Sequence, residues 1–133
     1  MKRSFAAMAA ALVLTGALAQ PASAQLFRSR ANAAEVAQAG SANGAGVAQT
    51  GRGNDAVILQ SGRGNSGTIQ QDGNNNTGCL VQMGDNNDAA LTQSGNRNNV
   101  GVVQGVFGTH VMSGDRCARS ARSSVTRFIL GVR

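Results

Sequence analysis

Residues 49–60 read QTGRGNDAVILQ, and this stretch decides the fold. Glutamines begin and end it, with glycine, asparagine, alanine and isoleucine between them. Asn54, Ala56, Ile58 and Gln60 follow one another in steps of two, so in an extended strand they share one face. The next four residues, SGRG, contain the glycines that a tight reversal needs. The stretch therefore predicts one strand followed by one turn.

The same 11-residue unit, Q-x-G-x-x-N-x-[AG]-x-[VIL]-x, recurs six times without an insertion, with Val100 as the one exception in the small-residue slot. The glutamines are Gln38, Gln49, Gln60, Gln71, Gln82, Gln93 and, after the sixth unit, Gln104; the turn glycines are Gly40, Gly51, Gly62, Gly73, Gly84 and Gly95; the asparagines are Asn43, Asn54, Asn65, Asn76, Asn87 and Asn98; the aliphatics are Val47, Ile58, Ile69, Leu80, Leu91 and Val102. Registered copies of this kind predict a stacked repeat architecture.

The repeat predicts an all-β fold: a short, amyloid-like β-solenoid of six 11-residue strand-turn units, with two strands in each 22-residue coil. We place the regular face inside, because a packed interior demands the same residue at the same place in every layer. Residue i then stacks on residue i+22, about 4.8 Å away. Glutamines and asparagines would form interior amide ladders along the axis, as in cross-β assemblies, so that the buried amides find partners.

The pattern Q-x-G-x-x-N-x-A-x-x-x-Q resembles the curlin repeat, and residues 49–60 match it position for position. The resemblance covers roughly residues 38–104. The alanine slot departs from the pattern at Gly67, Gly78 and Val100. Every unit carries asparagine where the family often alternates it with serine. Beyond residue 104 the pattern decays.

The resemblance implies an extracellular functional amyloid of the bacterial surface. It implies a structural subunit without enzymatic activity, which assembles with itself and other curlin subunits into fibres for adhesion and biofilm matrix. Curlins are exported unfolded through a dedicated outer-membrane channel with accessory proteins. One alternative is a surface-anchored minor curlin that nucleates polymerisation of another subunit. Another is a ligand- or ice-binding β-solenoid, but Thr68 and Thr92 occupy different outward slots and predict no threonine ladder.

The chain divides into four segments. Residues 1–24 resemble a secretory signal peptide, with a basic start, an apolar run too short to span a bilayer comfortably, and Ala22-Ser23-Ala24 before the cleavage site. Residues 25–37 form an N-terminal segment that carries the export signal by family analogy. Residues 38–110 form the solenoid. Residues 111–133 form a basic tail with five arginines against one aspartate.

The tail allows two interpretations. It can attach the chain to an anionic cell surface, which attracts basic segments, and the family's nucleators resemble it in having a basic final segment. Alternatively it is solvated and partly disordered. Basic residues do not alternate with aromatic ones, so the sequence predicts no binding to nucleic acid.

Cys79 and Cys117 are the only cysteines. In an exported protein they suggest one disulfide, which would pin the tail against the flank of the solenoid. An intermolecular bridge and free thiols are the alternatives. His110 is the only histidine and belongs to no catalytic constellation. The acidic residues do not have the spacing of a calcium loop, so the sequence predicts no metal or cofactor.

Overall fold

The computed structural model describes residues 10–15 and 31–130. Most of the predicted signal peptide, its cleavage site and residues 25–30 lie outside the described residues. The elements are β1 (Ala10–Thr15), β2 (Ala33–Ser41), β3 (Gly44–Arg52), β4 (Asp55–Arg63), β5 (Ser66–Asn74), β6 (Thr77–Met83), β7 (Asp88–Ser94), β8 (Asn99–Gly105), β9 (Gly108–Met112) and α1 (Gly114–Leu130).

Strands β2 to β8 wind alternately through two sheets. One sheet has four strands in the order β1-β3-β5-β7, and the other has five in the order β2-β4-β6-β8-β9. Within the coil every pairing is parallel and joins residues 22 apart, such as Gln38 with Gln60 and Gln49 with Gln71. The predicted solenoid with two strands per coil is thus confirmed. Its first strand begins at Ala33, before the first complete repeat.

The interior contains the regular face of the repeat. Ala56, Ile58 and Leu80 are fully buried, and Ile69 is nearly so. They form one apolar core cluster with Ala45, Val47 and Leu91. The core is narrow because small and aliphatic residues alternate with amides along each strand. Hydrogen bonds between layers must therefore supply much of the stabilisation.

The two ends of the solenoid differ. At the N-terminal end, β1 lies antiparallel to β3, with Leu12 opposite Val47. Because β1 falls within the predicted signal peptide, cleavage would leave the edge of β3 bare. At the C-terminal end the chain reverses after Gly105, and β9 runs back antiparallel to β8. The decay of the repeat after residue 104 thus coincides with a change of strand direction.

Residues 114–130 of the basic tail form helix α1. The interpretation of this tail as partly disordered is wrong for residues 114–130, which are helical. Ser113 Oγ accepts a hydrogen bond from the backbone N–H of Arg116 at 3.3 Å, as an N-cap does. Asp115 Oδ2 accepts a hydrogen bond from Asn99 Nδ2 at 2.6 Å, which ties the first turn to the start of β8. Within the described residues, no helix has the length and apolar character needed to cross a membrane.

Candidate assembly surfaces

Glutamine ladders run along the solenoid interior. Gln71 Nε2 donates to Gln93 Oε1 at 2.7 Å, one coil further on, and to the backbone carbonyl of Asp55 at 3.1 Å. Gln49, Gln60 and Gln82 make the same two bonds to their own neighbours. Among the described residues no buried side-chain polar atom lacks a partner. The amides of Gln60, Gln71 and Gln82 therefore both accept and donate, and these bonds require a neighbouring layer on either side.

Asparagine ladders run beside the turns. The backbone N–H of Asn76 donates to Asn54 Oδ1 at 3.0 Å, and Asn76 Nδ2 donates to the carbonyl of Gly95 at 2.9 Å. The same backbone-to-Oδ1 contact links Asn65 with Asn43, Asn87 with Asn65, and Asn98 with Asn76. Interior asparagines such as Asn76 thus fasten the end of one turn to the layers on either side.

The turn glycines are required by both conformation and space. Gly73 has a φ of 124°, and a Cβ there would lie 1.9 Å from the carbonyl oxygen of Gly95. Gly40, Gly51 and Gly62 meet the next layer in the same way. Gly84 and Gly95 also have positive φ, but a Cβ on either would meet only an asparagine amide at the edge of contact. They belong to the last complete coil and have no turn glycine stacked above them.

At each end of the solenoid, which we call a rim, the last glutamines of the ladders have hydrogen-bonding groups without a partner among the described residues. At the N-terminal rim, no described residue donates to Oε1 of Gln38 or Gln49. At the C-terminal rim, Gln93 and Gln104 each donate one hydrogen bond, to the carbonyls of Thr77 and Asp88, where interior glutamines donate two. A ladder of this kind has an accepting end and a donating end. Added layers would satisfy both.

The outward face of the five-stranded sheet is covered. Val57, Cys79 and Val81 point away from the core, yet they are buried in a second apolar cluster with Ala118 and Ala121 of α1. The outward residues of β5 and β7, by contrast, are exposed. The two flanks of the solenoid are therefore chemically different, one apolar beneath a helix and one polar.

A disulfide joins this flank to the helix. Cys79 and Cys117 are bonded and both are buried. Gly101 lies beneath the bond, and a Cβ there would come within 2.6 Å of Cys117 Cβ. The missing side chain at Gly101 lets the helix approach β8 closely.

An ion-pair network holds the helix across the first strands of the same sheet. Arg122 Nε lies 3.0 Å from Glu35 Oε2 in β2, and Arg122 Nη2 lies 2.8 Å from Asp55 Oδ1 in β4. Burial acts to lower the pKa of Arg122, but the hydrogen bonds and charges of Asp55 and Glu35 outweigh it and raise that pKa. Asp55 and Glu35 therefore stabilise the charged form of the guanidinium.

The other residues that the sequence analysis considered for catalysis, metal binding or ligand binding form no such site within the described residues. His110 is exposed on β9. Within the described ranges no three His, Cys, Asp or Glu side chains are grouped as a metal site would require. Thr68 stacks between Gly46 and Ala90, so it is not part of a threonine ladder. Arg116 and Arg119 are exposed on the outer side of α1.

Besides β9, sequence reasoning missed the first strand of the coil, β2, and one ladder residue. Asn32 Oδ1 accepts a hydrogen bond from the backbone N–H of Asn54 at 3.0 Å, and Ala34 and Val36 pack against the core. The spacing N-x-A-x-V-x-Q that ends at Gln38 repeats the strand half of the unit and marks this strand. This half unit is hard to recognise because the glutamine and glycine that open a full unit are absent before it.

The repeat is also matched by a family model. The model of the curlin associated repeat matches residues 30–62 and 73–105. No curated protein and no solved structure is significantly similar to the chain. The first match begins before β2, in agreement with the strand that the repeat count omitted.

Stacked parallel strands and continuous amide ladders define a structural β-solenoid. The matched repeats within this architecture show that the chain belongs to the curlin family. It is a structural subunit of the curlin type.

Proposed function

We propose that the chain is a secreted subunit of extracellular, curli-like amyloid fibres that serve adhesion and the biofilm matrix. It assembles with copies of itself and with other curlin subunits. The signal-peptide pattern of residues 1–24 supports secretion, and the family supports export through the curli outer-membrane channel with its accessory proteins.

The observation that carries this proposal is the unused hydrogen-bonding capacity at the rims. No described residue donates to Oε1 of Gln38 or Gln49 at one end, and removal of β1 with the signal peptide would leave the backbone edge of β3 unpaired beside them. Such edges are templates for further strands. Each interior amide bonds to a layer on both sides. A subunit that docks on the N-terminal rim would supply hydrogen-bond donors to Gln38 and Gln49 in place of water.

The test is polymerisation of residues 25–133, purified under denaturing conditions and transferred to buffer. We expect thioflavin fluorescence to rise after a lag, and the lag to disappear when sonicated fibres are added. Fibre diffraction should give a meridional reflection near 4.8 Å, the spacing of stacked strands. The variant Gln70→Met changes an exposed amide outside the ladders and should polymerise with the same lag as the parent chain. A chain that stays soluble and monomeric for days at high concentration contradicts the proposal.

A second function, the surface-anchored minor curlin that nucleates another subunit, is favoured by the C-terminal end. Strand β9 closes the five-stranded sheet there. Helix α1 displays Arg116 and Arg119 to solvent, and anionic surfaces attract such groups. Deletion of residues 113–133 together with Cys79→Ala distinguishes the two. Loss of cell attachment with retained polymerisation favours the nucleator, and unchanged attachment favours the fibre subunit.

A further inference from the structure

The C-terminal end of the solenoid is stepped. The four-stranded sheet stops at β7, whereas the five-stranded sheet continues through β8 and then β9. The projection is two strands high, roughly 10 Å at the usual strand spacing. The N-terminal rim, by comparison, is level once β1 is removed, because β2 and β3 belong to the same coil.

The inner face of this projection is unfilled. Val111 of β9 pairs with Val102 of β8, so the two side chains point to the same side of the sheet. Val102 packs against the core cluster. Val111 is nevertheless 73% exposed, because no described strand lies across from it. Val111 faces the space above the edge of β7, and this space has room for two further strands.

The shape of the step limits what can fill it. A level-ended solenoid that stacks on β9 leaves the two places above β7 empty, because both strands of each of its coils lie at the same height. The occupant must project two strands from one sheet with nothing opposite them. The β8–β9 projection of a second copy has this form. If the two copies are related by a twofold axis parallel to the strands, the β8–β9 projection of each copy lies in the step of the other. The two sheets of the combined solenoid then contain equal numbers of strands.

We propose that the chain pairs tail to tail with a second copy through this step. Strand β9 of each copy lies parallel to β7 of the other, with Val111 beside Leu91. Val102 of one copy faces Val111 of the other across the coil. The pair buries both inward-facing valines and the edges of β7 that no described strand covers, and it leaves two N-terminal rims facing outward. An isologous contact of this kind is self-complementary and closed.

The register predicts a specific cross-link. If Leu91 lies beside Val111, then Ala90 lies beside His110 of the second copy, and neighbouring strands place Cα atoms within disulfide range. Ala90 and His110 are both exposed, and within one copy they lie on opposite outer flanks. The mature chain with Ala90→Cys and His110→Cys, retaining its native disulfide, should therefore give a covalent dimer on oxidation. Mass spectrometry should identify the linked peptides in the soluble and fibrous fractions alike.

The matched control is Thr68→Cys with His110→Cys. Thr68 pairs with Ala90 on the same outward face but lies one strand further from the step. We expect little dimer from it. Equal cross-linking from both pairs, or none from the Ala90 and His110 pair in either fraction, overturns the proposal.

A second variant tests the buried valine. Val111→Lys should abolish the cross-link while leaving thermal unfolding of the chain unchanged, since Val111 is exposed in the single copy. Val106→Lys adds the same charge at the hairpin tip, outside the step, and should cross-link normally. The fibre proposal can fail separately. Fibres without the cross-link refute the tail-to-tail pair alone, and the cross-link without fibres refutes only polymerisation.

Discussion

Gln71 Nε2 lies 2.7 Å from Gln93 Oε1, although the two residues are 22 positions apart in the chain. The contact exists because one coil of the solenoid uses 22 residues, so equal residues meet at the strand spacing. It converts a sequence period into a row of buried hydrogen bonds. The stability of this protein should therefore depend more on its amides than is usual for a domain of its size.

Gln71→Met tests that dependence. Methionine keeps the length of the side chain but has no amide, so Gln93 Oε1 and the carbonyl of Asp55 lose a donor and Gln49 Nε2 loses its acceptor. Each buried group left unpaired costs about 1–3 kcal/mol, so we expect a loss of at least about 3 kcal/mol in the free energy of unfolding. Gln70→Met, next to it but exposed, is the control. Chemical denaturation measures both, and equal losses would contradict the ladder.

Gly73→Ala and Gly95→Ala separate strain from stacking. Both residues have positive φ, which costs an alanine about 1–2 kcal/mol. Only at Gly73 would the methyl group also collide with the next layer, 1.9 Å from the carbonyl of Gly95. We expect Gly95→Ala to show the strain alone and Gly73→Ala to lose roughly 1–3 kcal/mol more, as overpacking does. Thermal unfolding of the two variants makes the comparison, and equal midpoints would argue against close stacking of the turns.

The coil was predictable because one period fixes strand, turn and register together. Gln60, Asn54 and Ile58 each recur every 11 residues, and only the regular face can be packed. The direction of β9 was not predictable, because after residue 104 no glycine or asparagine stands in register. A hairpin there follows from local turn chemistry and not from the repeat.

The helix on the flank could have been foreseen in part. Taken every 11 residues, the outward slots look irregular. When outward residues 22 apart are compared, so that each group belongs to one sheet, they separate into two sets. One is apolar and includes Val57, Cys79 and Val81, and the other is polar and includes Thr68 and Thr92. An outward face that is apolar in one sheet alone needs a cover. What sequence reasoning could not supply is the contact of Arg122 with strands far back in the chain.

Removing the disulfide should weaken the attachment of α1 to the sheet but leave the β-solenoid folded. The bond closes a loop of 38 residues, for which chain entropy gives about 4 kcal/mol. In Cys79→Ala with Cys117→Ala, we expect amides of α1 to lose hydrogen-exchange protection, while amides of β4 to β6 keep theirs through the ladders. Gly101→Ala, which keeps the bond but crowds Cys117, should loosen the helix to a smaller degree. Loss of protection throughout the coil would show that the helix is needed for the solenoid to fold.

Arg122→Lys should weaken the attachment of α1 only slightly. Lysine loses the paired contacts with Glu35 and Asp55, but Arg122 is 41% exposed, so solvent already screens them and the cost should stay below about 1 kcal/mol. The sign of the pH dependence follows from the raised pKa of Arg122. Its contribution is fully present below the ordinary arginine pKa and is lost only when pH rises through the higher value of the folded state. Raising the pH to about 10 should therefore leave the carbon resonance of Arg122 Cζ at its protonated position, as arginine stays protonated there. Arg119→Lys, exposed on the same helix, is the matched control and should not change stability. A stability loss of several kcal/mol in Arg122→Lys alone would mean that the ion pairs, and not the disulfide and the buried alanines, hold the helix in place.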